Sequence, residues 1–212
     1  MSVPPGSASR QRVRWNPEAW LARPGLEPWR KVLEDLAQRG DVSRADVRAY
    51  ANHDPCELLV ASMVWGFGPL GYGAARTAEM LAGSRTSEPV EEVLEAIRRE
   101  VRRSPENGFT AVFANFQPKL GQLGTSYATK FLHFAEAGLG AQRALVYDGR
   151  VSATLQALSE YPGSAPDPGG RVWSSDYAAW CAWADEQAEL HGCAPEDIEF
   201  AAFVANGAQP EG

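Results

Sequence analysis

Lys130 and Asp148 are two side chains of types that could do chemistry, an amine able to act as a nucleophile and a carboxylate able to act as a fixed anion. Lys130 is followed by Phe131 and, one helical turn on, by Phe134. An amine held beside apolar rings is poorly hydrated, which favours its neutral form, a nucleophile able to attack an electrophilic carbon and form a Schiff base. The inert alternative is a lysine whose stem covers apolar surface while its head reaches water. Asp148 comes eighteen residues later, after the apolar run Ala-Leu-Val-Tyr and ahead of Val151, Leu155 and Leu158 at helical spacing. That setting suits a helix N-cap, because an aspartate side chain accepts the first free amides of a helix. It also suits a fixed anion, and a carboxylate has lone pairs enough for both tasks.

Helices must hold these two residues. Trp29, Val32, Leu33 and Leu36 recur at helical spacing up to Gly40, Ser43 can cap a short helix through Tyr50, and Asp54 before Pro55 can cap a third through Met63. The run Trp65-Gly66-Phe67-Gly68-Pro69-Leu70-Gly71-Tyr72-Gly73 ends that helix and lets backbone approach another surface closely. It matches no phosphate-binding glycine motif, so a structural turn with packed rings is favoured over a ligand wall. Further helical periods cover residues 74–82, 90–101, 108–119 with Phe109, Phe113 and Phe116, then 175–190 and 195–204. Between them, small residues near 120–130 form a hairpin leading into a helix from about Thr125 to Ala135, and YPGSAPDPGG is a loop. β-like runs are too few for a sheet, so the expected class is all-α. Residues 1–14, rich in Ser, Pro, Gly and Arg, are expected as a mobile tail ahead of a single helical domain spanning 15–212.

Composition narrows the function classes. The chain has 212 residues, 44% of them hydrophobic, enough for one good core. Cys56, Cys181 and Cys193 form no CxxC and the N-terminus lacks a signal-peptide core, so a cytoplasmic location without disulfides is expected. No apolar run approaches the roughly 18 residues of a membrane span. The histidines and cysteines have no zinc spacing, so no metal and no cofactor are expected. A net charge of −7 argues against holding nucleic acid by bulk electrostatics, although Arg10, Arg12 and Arg14, and Arg98, Arg99, Arg102 and Arg103, form local basic clusters.

Around the two chemical residues the sequence resembles the helix-hairpin-helix DNA glycosylase superfamily, and within it bacterial proteins of the 8-oxoguanine DNA glycosylase fold. Ala128-Thr129-Lys130 resembles the Gly-Thr-Lys of the oxidised-guanine enzymes, with alanine in place of the hairpin glycine. Val146-Tyr147-Asp148-Gly149-Arg150-Val151 resembles their Val-Asp-x-x-Val at a comparable separation from the lysine. VASMVWGFGPLGYGAARTAEML and AWADEQAELHGCAPEDIEFAAF extend the likeness over roughly residues 25–205. An alternative register sets Leu123-Gly124-Thr125-Ser126 on the hairpin and places Ser126 where monofunctional members lack the lysine.

The resemblance implies two helical lobes with a cleft between them. It implies an enzyme, a monomer acting on double-stranded DNA, that flips a modified base and excises it. The base would be an oxidised purine such as 8-oxoguanine or a phage-type modified base. Lys130 would be the nucleophile, Asp148 the catalytic carboxylate, and strand cleavage would accompany base release. Trp65, Phe67, Phe113, Phe116, Gln117, Glu199 and Phe203 are the candidates for the base pocket. The backbone of Gly124, Thr125, Ser126, Tyr127, Ala128 and Thr129 would hold a phosphate. A monofunctional glycosylase using Asp148 alone, and a non-catalytic DNA-binding protein of the same fold, are the alternatives.

Overall fold

A computed structural model describes residues 4–140 and 142–206 of the chain. Its described residues form twelve α-helices and two short β-ladders. In chain order the helices are α1 (Ser7–Arg10), α2 (Pro17–Leu21), α3 (Arg30–Arg39), α4 (Arg44–Arg48), α5 (Pro55–Phe67), α6 (Gly73–Leu81), α7 (Val90–Val101), α8 (Pro105–Val112), α9 (Thr125–Glu136), α10 (Gly149–Ala157), α11 (Ser174–His191) and α12 (Pro195–Ala205). Strand β1 (Arg12–Val13) pairs antiparallel with β2 (Val42–Ser43), and β3 (Phe113–Ala114) with β4 (Gln117–Pro118). The class is all-α, as the periodicity implies. No helix among the described residues is long and apolar enough to cross a membrane.

Local chemistry sets the helix starts. Ser43 and Asp46 form a capping box at α4, Asp54 accepts the Cys56 and Glu57 amides ahead of Pro55, and Ser104 accepts the Asn107 amide. Helix α5 is apolar on all sides, with Leu58, Leu59, Val60, Met63 and Val64 fully buried, and such a helix has to be enclosed. Helices α3, α4, α6, α7 and α9 pack around it. Helices α10, α11 and α12 pack on one another and reach the first group through α8. One apolar core runs through both groups. A cleft opens where the end of α5 faces the starts of α9 and α10.

Two segments depart from expectation. The supposed tail is docked: the Gly6 and Ala8 amides donate to Asp197 Oδ2 and Oδ1 at 2.9 and 2.8 Å, Ala8 is buried, and Arg12 and Val13 join a ladder. Its anchor, Asp197 on α12, is remote in sequence, so no local reading could supply it. Residues 1–3 of that expectation lie outside the described residues. The helix expected over 108–119 stops at Val112, and the chain folds back as a β-hairpin that leads through a turn into α9. Pro118 is the signal for this, since proline breaks a helix interior and pushes the residue before it to extended backbone. The turn before α9 is thus entered from a β-ladder and not from a helix.

Candidate active site

Lys130 projects from the second turn of α9 with its side chain 8% exposed. Its Nζ donates to the Ser126 carbonyl at 3.1 Å and to Asp148 Oδ2 at 3.3 Å. Asp148 is the N-cap of α10, and its Oδ1 accepts the amides of Arg150 at 3.1 Å and Val151 at 3.3 Å. The two oxygens therefore divide the work: one fixes the carboxylate to the helix and the other faces the lysine. Room for the lysine comes from Gly66 on α5, where a Cβ would lie 2.6 Å from Lys130 Cδ. A glycine inside a helix costs stability, and here its absent side chain is the channel for the lysine stem.

What aims Asp148 is the apolar run at residues 144–147. It is buried and extended without a strand partner, so its polar backbone must be satisfied by side chains. His133 Nδ1 donates to the Ala144 carbonyl, Tyr177 Oη to Leu145 and Trp180 Nε1 to Val146. The Val146 amide donates to Glu199 Oε2, and the Tyr147 amide donates to Thr129 Oγ1 at 3.0 Å. Thr129 precedes Lys130, so a single hydroxyl ties the helix of the lysine to the segment that leads into the aspartate.

The cleft above the pair has a volume of about 560 Å³. Of the residues expected in the base pocket, Trp65, Phe67, Glu199 and Phe203 line it. Phe67 stacks on Tyr127 at 4.1 Å, and Arg150 lies over the Phe203 ring at 4.8 Å. Glu199 is 2% exposed and already engaged: its oxygens accept Arg44 Nη2 at 2.8 Å, Arg44 Nη1 at 3.0 Å and the Val146 amide. It holds the wall in place by these contacts. Phe113, Phe116 and Gln117 do not reach this cleft. The hairpin that replaces the end of the expected helix carries them to a second cavity.

The phosphate contacts expected from residues 124–129 contract to the first turn. Tyr127 and Ala128 donate their amides to the Gly124 carbonyl, while Ala128 and Thr129 are fully buried. Gly124, Thr125 and Ser126 remain at the open N-terminus of α9, where the helix dipole favours an anion. Arg44, Gly66 and Arg150 also line the cleft; Gly66 and Arg150 lie inside the segments singled out in the sequence, but none of the three was expected as a site residue. Arg44 follows the Ser43 cap, but nothing local marks it as buried.

Competing groups are silenced by burial. His133 gives its Nδ1–H to a carbonyl and turns Nε2 toward Arg44 and Arg48, and burial followed by those two cations holds it well below its ordinary value of 6.5. It is neutral and structural. Burial pushes the Cys56 and Cys181 thiols up to about 12, which removes them as nucleophiles near neutral pH. Burial and a bond with Tyr72 likewise raise the Tyr127 phenol.

The described residues thus form an all-α fold with a lysine and a carboxylate in contact at the base of one cleft. The chain matches the model of the family described as "Putative 8-oxoguanine DNA glycosylase OGG-like protein" over residues 6–203, and it belongs to that family. No curated relative and no solved structure matches it.

Proposed function

We propose that the chain is a base-excising DNA glycosylase in which Lys130 is the nucleophile and Asp148 its proton acceptor and counter-ion, with strand cleavage following base release. The observation that carries this reading is the 3.3 Å contact between Nζ and Oδ2 at the base of the cleft, with the other aspartate oxygen tied to α10. Oδ2 takes a proton from the ammonium. The freed amine attacks C1′ of the flipped nucleotide, and the C1′–N bond breaks with its electron pair going to the base, which acquires a proton. Ring opening gives a Schiff base on Lys130, and elimination from it cuts the strand. The proton that the base acquires is the one held by Oδ2, and once it has passed to the departing base the Asp148 carboxylate again carries its charge and opposes the positive iminium of the Schiff base. The cleft volume suits a flipped purine, an oxidised one such as 8-oxoguanine or a phage-type modified base, between the aromatic walls of Phe67 and Phe203.

The test is borohydride trapping on duplexes carrying different modified bases. A covalent complex with the wild-type chain, absent in Lys130→Gln, supports the reading. A second reading rests on the Ser126 carbonyl, which holds the lysine head in place through a second hydrogen bond at 3.1 Å. Asp148 then activates water alone and Lys130 positions DNA. Base release without trapping selects that reading, and DNA binding without base release selects a non-catalytic protein.

A further inference from the structure

A second cavity, of about 580 Å³, lies on the other side of the start of α9. Thr125 lines it while the next residue, Ser126, lines the Lys130 cleft, so one helix terminus separates the two. The mechanism makes no use of this cavity. Its walls include Phe113, Phe116, Arg171 and Trp173.

Three features point to an occupant. The first is conformational. Asn115 and Phe116 have φ of 49° and 64° in the two-residue loop that closes the β3–β4 hairpin, a pattern of positive angles that favours Asn-Gly. Phenylalanine in the second position is disfavoured there, yet its ring is 56% exposed. A bulky residue held at that backbone cost and left more than half exposed is available to a partner. The second feature is stacking geometry: Phe116 and Trp173 meet edge to face at 5.2 Å, with the Arg171 guanidinium 3.8 Å above Phe116 and 4.8 Å above Trp173. The third is charge. Although the chain is acidic, Arg171 and the neighbouring Arg85 and Lys119 have no ion-pair partner among the described residues. Most arginines elsewhere, including Arg98, Arg99 and Arg103, are paired with carboxylates.

We propose that this cavity stacks an unpaired nucleobase of the DNA, the neighbour on the same strand as the nucleotide drawn into the Lys130 cleft, with Phe116 and Trp173 as the platform and Arg171 as its cation. Flat rings with an arginine suit any base face and need no sequence, and the free cations suit the phosphates that flank it. The shared terminus of α9 would take the phosphate between the two nucleotides. The assignment to a neighbouring nucleotide rests on the glycosylase reading, whereas the affinity for an unpaired base does not.

Two measurements on the full chain test it. Binding of a short unmodified single-stranded oligonucleotide, followed by fluorescence anisotropy, should weaken about tenfold in Trp173→Ala and in Phe116→Gly. The glycine variant suits the turn, so an unchanged melting temperature shows that the fold is intact. Wild-type affinity in both variants overturns the proposal. Because this binding needs neither base excision nor Lys130, it is separable from failure of the trapping experiment. In a lesion duplex, 2-aminopurine placed beside the lesion should change emission on binding, and Trp173→Ala should abolish the change. A response only from a probe on the opposite strand overturns the same-strand assignment.

Discussion

Two buried ion pairs stand in one cleft and are built differently. Arg44–Glu199 is bidentate, both side chains are 2% exposed, and the carboxylate also accepts a backbone amide. Lys130–Asp148 is a single contact at 3.3 Å, more exposed, with one carboxylate oxygen committed to capping α10. The first pair is held through both carboxylate oxygens and ties α4, α12 and the 144–147 run together. The second keeps one oxygen and one amine facing each other across a gap that a proton can cross. A planar guanidinium that stays charged suits the structural role, whereas an amine that can give up its proton suits the chemical one.

The sharpest way to break this contrast is Lys130→Gln. Trapping and strand cleavage should vanish, while denaturation shows a stability loss of only about 1 kcal/mol, since the amide can still donate to Asp148. A severe loss of stability instead would make Lys130–Asp148 a structural pair like its neighbour. For Glu199→Gln the reverse is expected: urea denaturation should reveal a cost of about 3–5 kcal/mol, because Arg44 is left buried without its counter-charge. A variant as stable as wild type would remove the distinction.

Smaller changes probe how the Lys130–Asp148 pair is aimed. In Gly66→Ala the new methyl meets Lys130 Cδ, so single-turnover base release should slow about 10²-fold with the fold retained, the scale expected for displacing a reacting atom by about 1 Å. Wild-type turnover would show that the lysine stem has another route. Thr129→Val keeps shape but leaves the buried Tyr147 amide without its acceptor, and should cost about 1–3 kcal/mol by thermal or chemical denaturation.

The smallest expected effect is a pH slope. His133 is neutral when folded and its value is depressed below 6.5, so below that pH the unfolded chain binds a proton that the folded chain refuses. Stability should fall as the pH drops from 7 to 5, by at most about 1.4 kcal/mol per pH unit, and His133→Gln should flatten that part of the profile. An identical slope in the variant would assign it to other groups.

The sequence by itself determined several of the helices, because periodicity and caps are local: Ser43, Asp54 and Asp148 start the helices they were expected to start, and residues 90–101 are helical as the apolar spacing requires. Lys130 and Asp148 were legible as partners only through the resemblance, which sets a Thr-Lys and an aspartate at a comparable separation, whereas their local patterns alone mark a helix position and a cap. Trp65, Phe67, Glu199 and Phe203 do line the cleft, but their roles in it were not legible. Whether Glu199 meets a ligand or a buried arginine depends on Arg44, which the chain brings to it from the far side of the molecule. Tertiary structure alone decided that Gly66 makes room for the lysine, that Thr129 is a brace and not a phosphate contact, that residues 6–13 dock on α12 and β2, and that Phe113, Phe116 and Gln117 serve a second cavity. Each of these depends on a partner distant in sequence or on a turn whose backbone angles have no periodic signal, and a local pattern carries no information about what the chain will later place beside it.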